Sequence, residues 1–313
     1  MIAELTKEVI KRIEASEGRK RSRTADEQLR FEHAVHVLLT DLWKAVKSTP
    51  IRECSINKRS GWYSDSPRYR DPLLTYKQMI AVFDGLLKIG FIEVTREGHF
   101  DRTIYQGKST RFVARDELLE RLQELDGHPA ISIKPDMDAE TIILRNKVDG
   151  KKVLQEYEDT PATERHRENL KIINSCFLKH WCDLEVQDTE LTKLEARIAN
   201  HPTKEPIDFS QRTLVRIFSN GSFKQGGRFY RGWWQQIDKE DRAKIYINDK
   251  PTLEVDFKAF HPNLLSNELG VKLSGDPYDL GKLVLPEVIM TKDRQRDYVK
   301  LLVLMGINAD SDK

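Results

Sequence analysis

The stretch that decides the fold of the N-terminal region is TYKQMIAVFDGLLKIGFIEV, residues 75–94. Its apolar residues recur at helical spacing up to Leu87, which predicts a helix. Thr75 is a good N-cap for this helix, and Gly90 stands where a helix end favours a left-handed residue. The residues after Gly90 are β-leaning. The stretch therefore predicts a capped helix followed directly by a strand.

The flanking residues extend this pattern. A second helical stretch precedes it from Phe31 to Trp43, and residues 55–72 have the composition of an irregular loop. A Gly-containing turn at 96–101 and a strand-like run at 103–113 follow, and the next helix begins near Asp116. This order resembles the winged-helix domains of replication initiators and transcription regulators, in which one helix enters the major groove and a β-wing lies on the DNA backbone. Small α+β domains of other function share the order.

Charge is spread unevenly along the chain. Residues 44–115 hold fourteen Lys or Arg and seven Asp or Glu, whereas residues 116–159 hold six and twelve. A basic block that contains Trp and Tyr suits a phosphate backbone, and the alternative is a solvated basic face. The candidate DNA-binding residues are four cations of the predicted wing and two of the preceding loop: Arg96, Arg102, Lys108, Arg111, Lys58 and Arg59.

Composition excludes several classes of protein. No apolar run approaches the ~20 residues of a membrane span, and the N-terminus has no apolar signal-peptide core. Three cysteines do not suggest a disulfide framework. We therefore expect a cytoplasmic protein with no membrane partner.

The C-terminal part carries the candidate chemistry. We predict a helix from Ser210 to Phe218 and a strand over 252–257 that alternates apolar residues with Glu254 and Asp256. Two carboxylates on one strand face can form a metal site, but an isolated pair is more often an ordinary solvent-facing edge.

Motifs around this strand follow a recognisable order. They are Gly227-Arg228, Gln235-Gln236-Ile237, Arg242, the Asp256 strand, Gly275-Asp276-Pro277-Tyr278 and Arg296-x-x-x-Lys300. In order and spacing they resemble the polymerase domain of the DNA polymerase I family, closest to a divergent prophage-like or mobile-element branch. The resemblance covers roughly the last third of the chain and depends on the colinearity of short pieces.

The resemblance implies a role for each matching residue. Asp256 and the Phe257 carbonyl would bind the two catalytic Mg²⁺ ions, and Lys300 with Arg296 would contact the phosphates of a nucleoside triphosphate. The resemblance also implies nucleotide or primer contacts at these positions: Gly227, Arg228, Arg242 and His261. His261 stands where the family has a glutamate that excludes the ribose 2′-hydroxyl, which leaves sugar selection open.

One family motif has no counterpart. Motif C, a His-Asp dipeptide that supplies the second metal-binding carboxylate, occurs nowhere in this chain. We therefore expect either a Mg²⁺-dependent, DNA polymerase-like nucleotidyltransferase truncated before motif C and inactive alone, or a non-catalytic winged-helix replication or regulatory protein with a degenerate palm.

The expected fold is α+β, in three parts. Residues 1–125 form a basic arm and a winged-helix-like domain, residues 126–160 an acidic linker, and residues 161–313 a helical segment with a partial polymerase-like palm and fingers. The expected partners are duplex or primer-template DNA and a nucleoside triphosphate.

Overall fold

A computed structural model describes residues 2–19, 21–48, 51–101, 106–199, 207–281 and 291–309. Helices and strands alternate through these residues, so the predicted α+β class is confirmed. The helices are α1 (Ile2–Glu17), α2 (Ala25–Val46), α3 (Ser60–Ser64), α4 (Tyr76–Lys88), α5 (Asp116–Glu124), α6 (Pro129–Ser132), α7 (Pro161–Lys179), α8 (Asp188–Ala199), α9 (Lys239–Arg242), α10 (Phe260–Glu268) and α11 (Lys292–Asn308). The strands are β1 (Cys54–Ile56), β2 (Ile92–Arg96), β3 (His99–Asp101), β4 (Gln106–Lys108), β5 (Thr110–Ala114), β6 (Ile142–Val148), β7 (Lys151–Leu154), β8 (Cys182–Leu184), β9 (Val215–Ser219), β10 (Ser222–Tyr230), β11 (Ile245–Ile247) and β12 (Lys250–Pro251).

The chain divides into two compact units, residues 1–252 and 253–313. The sequence did not indicate a boundary at this position. Within the described ranges, the helices are all too short or too polar to cross a membrane.

The N-terminal part of the first unit is built around α2. Its cap is a reciprocal pair of hydrogen bonds between Thr24 and Glu27, and its apolar face is buried against α1, α4 and α5. β1, β5 and β2 form an antiparallel sheet in that order, and Phe112 of β5 packs edge-to-face on Phe83 of α4 with ring centroids 5.3 Å apart. The predicted α4 is confirmed, with Thr75 as its cap.

Helix α4 is held close to α1. A Cβ atom on Gly85 would lie 2.4 Å from the Cγ2 atom of Ile13, so only glycine permits this approach. α1 therefore covers the C-terminal half of α4, and the N-terminal residues Tyr76 and Lys77 stay exposed.

A second sheet follows in the order β10-β9-β6-β7. β6 and β9 run parallel, with Ile142 opposite Arg216, and the other pairs are antiparallel. One face of this sheet packs against α7 through Ile142, Leu144 and Leu170. A smaller sheet has the order β12-β11-β8 and packs with α8.

Two predictions from the sequence concern segments that form strands of this sheet. The helix predicted from Ser210 to Phe218 is wrong, because residues 215–219 form β9, where β-branched and aromatic side chains gain burial between two neighbouring strands. The segment predicted as a linker, 126–160, contains β6 and β7, and Ile142 at the start of β6 is fully buried.

The second unit contains α10 and α11. Helix α11 confirms the helix that the resemblance implied around Arg296 and Lys300. The strand predicted to end at Asp256 is wrong, since residues 252–257 have no regular secondary structure. Leu253, Val255 and Phe257 are 86%, 78% and 74% exposed, so among the described residues no neighbouring strand buries the apolar side of this alternation.

Candidate nucleic-acid interface

The predicted wing is a hairpin in the structure. β2 and β5 form its base, a bulge interrupts their pairing between Val94 and Arg96, and β3 pairs with β4 as a two-stranded ribbon beyond it. Gly98 allows the kink, because a Cβ atom there would lie 2.7 Å from the Lys108 carbonyl oxygen. The Gly98 N–H donates instead to the Thr110 hydroxyl at 3.1 Å. Both contacts fix Gly98 against the strand that leads from β4 into β5.

Several of the predicted DNA-binding cations are engaged in surface ion pairs. Arg96 lies 3.4 Å from a Glu53 carboxylate oxygen, Lys58 lies 3.4 Å from Glu97, and Arg59 lies 3.2 Å from Asp65. Exposed pairs of this kind are worth about 0–1 kcal/mol, so a phosphate competes with them readily.

Two other wing cations are differently placed. Arg111 lies directly opposite Arg96 on β2 and opposite Ser55 on β1, and Lys108 is exposed at the end of β4. Among the described residues, neither Arg111 nor Lys108 has a carboxylate partner. Like charges opposite each other repel, which favours an anion beside them. Arg102 lies outside the described residues.

An aromatic and cationic cluster lies in the segment before α4, on α3 and the loop after it, and none of its residues was among the candidates named from the sequence. The Arg70 guanidinium lies 4.1 Å from the centre of the Trp62 ring, and the Trp62 residue is 38% exposed. Tyr63 packs against both Trp62 and Tyr76 edge-on, and burial raises the pKa of its hydroxyl to about 12. The sequence signal was the interleaving of aromatic and basic residues over 59–70, a pattern suited to nucleic acid.

The same loop is fixed to the second sheet by Tyr69. Its hydroxyl donates to the Gln155 carbonyl at 2.7 Å and accepts from the Leu144 N–H at 3.1 Å. Tyr69 also packs on the apolar centre of the sheet, beside Ile143 and Ile217.

A network of two arginines and two carboxylates fixes the loop a second time. Arg68 stacks on the Tyr157 ring at 4.1 Å and donates to Glu140 at 3.0 Å, and Arg167 of α7 donates to Glu140 at 2.9 Å. Asp159 accepts from both arginines, at 3.2 and 2.7 Å. Burial opposes ionisation of Glu140, but hydrogen bonds from Arg167, the Ile142 N–H and Arg68 outweigh it and leave its pKa below the ordinary value.

The residues implied by the polymerase resemblance fall into both units. Gly227, Arg228 and Arg242 belong to the first. Gly227 has φ +74° in the irregular part of β10, and its carbonyl accepts from Arg216 at 2.8 Å, so strand geometry explains the glycine. Arg242 donates to the Ile237 carbonyl at 3.3 Å. A single site formed with residues of the second unit stays a prediction.

In the second unit, Arg296 is engaged by a carboxylate. Its Nε donates to Asp276 at 2.5 Å, and this hydrogen bond, foremost among several causes, lowers the pKa of Asp276. Asp256 and Phe257 lie in the irregular segment, and His261 lies in the first turn of α10. Lys300 follows Arg296 by one turn on α11, as the motif requires.

The described residues do not fit a two-metal centre. They contain no group of three His, Cys, Asp or Glu residues placed to hold a metal ion. Asp276, a candidate substitute for the missing motif C carboxylate, is held by Arg296. A Mg²⁺ site at Asp256 therefore stays an expectation from the resemblance.

No protein-family model matches the chain, and neither a curated protein nor a solved structure does.

Proposed function

We propose that this chain binds duplex DNA through a winged-helix domain in its N-terminal part. The observation that carries the proposal is the sheet order β1-β5-β2, with α3 and α4 inserted between β1 and β2 and with the β3–β4 ribbon inserted between β2 and β5. This is the arrangement in which one helix is presented to the major groove while the ribbon follows the backbone.

The exposed surface supports the same orientation. Recognition helices place their N-terminal residues against base edges, and the N-terminal end of α4 is the part that α1 leaves open. Tyr76 and Lys77 lie there, close to the cluster of Trp62 and Tyr63. The N–H groups at a helix N-terminus also favour a phosphate.

The test is duplex binding by a wing variant. Lys108→Ala with Arg111→Ala removes two phosphate contacts, and each contact contributes about 0.9 to the slope of log K against log salt. We expect the slope to fall by about 1.8, which is about a 60-fold loss of affinity at about 0.1 M salt. Fluorescence anisotropy with a labelled duplex measures both.

A matched control removes the same charge elsewhere. Arg165 and Lys171 are exposed on α7, which packs against the second sheet, and Arg165→Ala with Lys171→Ala leaves the duplex slope unchanged under the proposal. Equal slopes for the wing variant, the control and the wild type would remove the wing from the interface.

A nucleotidyltransferase function stays a second proposal, supported by the placement of Arg296 and Lys300 one turn apart on α11. Its residues would be Asp256 for Mg²⁺ and Lys300 for the triphosphate. Primer extension with labelled nucleotides tests it, and incorporation that survives Asp256→Ala refutes the metal assignment. The non-catalytic alternative is favoured by the Asp276–Arg296 pair.

A further inference from the structure

The second sheet has an unusual charge composition. Its four strands contain seven basic residues and no Asp or Glu. The basic residues are Arg145, Lys147, Lys151, Lys152, Arg216, Lys224 and Arg228. The whole chain has almost equal numbers of acidic and basic residues. The second sheet therefore concentrates positive charge.

The strand register places most of these cations on one face. Arg145 is two residues beyond Ile143 on β6, and Arg228 lies opposite Ile217 on β10. Lys147 and Lys152 are paired across β6 and β7. Ile143 and Ile217 belong to the apolar centre on which Tyr69 packs, so these four cations lie around that centre, whereas Arg216 lies on the face covered by α7. We call this surface the basic sheet face.

The basic sheet face lacks acidic partners. Within the described part of the chain, no carboxylate lies within salt-bridge distance of Arg145, Arg228, Lys147 or Lys152. A concentration of like charge without counter-charges is the signature of a polyanion site.

Aromatic side chains border the same face. Tyr230 lies opposite Val215 at the end of β10 and is 43% exposed. Tyr69 packs on the apolar centre of the same face, beside Ile143 and Ile217, and its hydrogen bonds with Gln155 and Leu144 hold it there.

We propose that the basic sheet face binds single-stranded nucleic acid, with phosphates on Arg145 and Arg228 and a base stacked on Tyr230. Charge complementarity selects a phosphate backbone. The exposed ring selects unpaired bases, because stacking on a protein side chain needs a free base face. This site goes beyond the proposed wing, since it lies on a different sheet and binds a different form of nucleic acid.

The test measures binding of a fluorescein-labelled oligothymidylate of about 20 nucleotides by anisotropy at several salt concentrations. Removing two single-strand phosphate contacts lowers the salt slope by about 1.4, which is about 25-fold in affinity at about 0.1 M salt. We expect this loss for Arg145→Ala with Arg228→Ala. The corresponding double lysine variant keeps the slope, because it keeps the charge.

The aromatic contact is tested separately. Tyr230→Leu keeps an apolar side chain on the strand but removes the stacking surface, and we expect about a fivefold loss of oligothymidylate affinity with an unchanged salt slope. Thermal unfolding of each variant checks that the sheet is intact.

Two comparisons decide the proposal. The Arg165→Ala with Lys171→Ala control keeps wild-type binding of the oligonucleotide, whereas an equal loss in that control would overturn the site. The wing variant loses duplex binding but keeps oligothymidylate binding, so failure of the wing and failure of the sheet site are distinguishable. Wild-type oligonucleotide binding by both the Arg145/Arg228 and Tyr230 variants also overturns the proposal.

Discussion

Replacing Glu140 by alanine tests how firmly the loop before α4 is fixed to the second sheet. The Glu140 side chain is 7% exposed and accepts from Arg68, Arg167 and the Ile142 N–H, the last at 2.8 Å. Removing one partner from a buried ion pair costs about 3–5 kcal/mol, because the remaining charge is left desolvated. Asp159 still accepts from both arginines in the variant, so we expect the low end, about 3 kcal/mol.

Urea unfolding followed by tryptophan fluorescence measures this loss. With a slope of about 3 kcal/mol per molar, the midpoint moves down by about 1 M and the slope stays constant. Glu158→Ala is the matched control, since Glu158 is an exposed carboxylate between β7 and α7, next in the chain to Asp159 of the network. A Glu140 midpoint equal to that of the Glu158 control would refute the reasoning.

The pH dependence of stability gives an independent check. The pKa of Glu140 and that of Asp159 are both lowered in the folded chain. A lowered pKa stabilises the folded state above the ordinary values of 4.5 and 3.8, and this stabilisation is lost as pH falls through the folded values. We expect wild-type stability to drop below about pH 4.5, and Glu140→Gln to drop less steeply over the same range. Parallel curves would contradict the network.

Three further predictions concern other parts of the chain. Gly85→Ala lowers the free energy of unfolding by about 1–3 kcal/mol, because the new Cβ atom would clash with the stiff side chain of Ile13. Gly61→Ala is the control in the same thermal scan and is near neutral, because its Cβ atom would have normal contacts. Asn174→Ala removes two buried hydrogen bonds to the backbone of Leu214, just before β9, and lowers the free energy of unfolding in urea by about 2 kcal/mol. A change below about 0.5 kcal/mol would contradict this. Isothermal titration with Mg²⁺ tests the metal assignment that the resemblance implies for Asp256: it predicts a binding signal in the wild type that Asp256→Ala abolishes, and equal signals in the two proteins would contradict it.

Local signals explain what the sequence predicted well. Thr75, the helical spacing after it and Gly90 act within a few residues of one another, so α4 and the strand after it were predictable. Helix α11, in contrast, was expected only from the resemblance; in the structure Thr291 caps it.

Non-local pairing explains the failures. β9 is a strand because β6 lies beside it, and Ile142 pairs with Arg216 far along the chain. The secondary-structure propensity of the residues near Ser210 carries no information about that pairing. Likewise, nothing local to Asp256 shows whether a neighbouring strand is available, and the alternation of apolar residues was misleading there.

The candidate interface was predictable only in part. Its wing cations follow from charge and element order, but their ion pairs, such as Arg96 with Glu53, depend on the packed sheet. The basic sheet face was hidden because its strands lie within a stretch of net acidic charge and a segment predicted as helix. It becomes visible only when the register brings Arg145 and Arg228 to one side.

Salt-dependent binding of the wild-type chain to a duplex of about 20 base pairs tests the central claim most directly. A winged-helix domain that holds the backbone with at least Lys108 and Arg111 predicts measurable affinity at about 0.05 M salt. It also predicts a slope of log K against log salt of about −1.8 or steeper. Absence of binding at that salt concentration, or binding that does not change with salt, would contradict it.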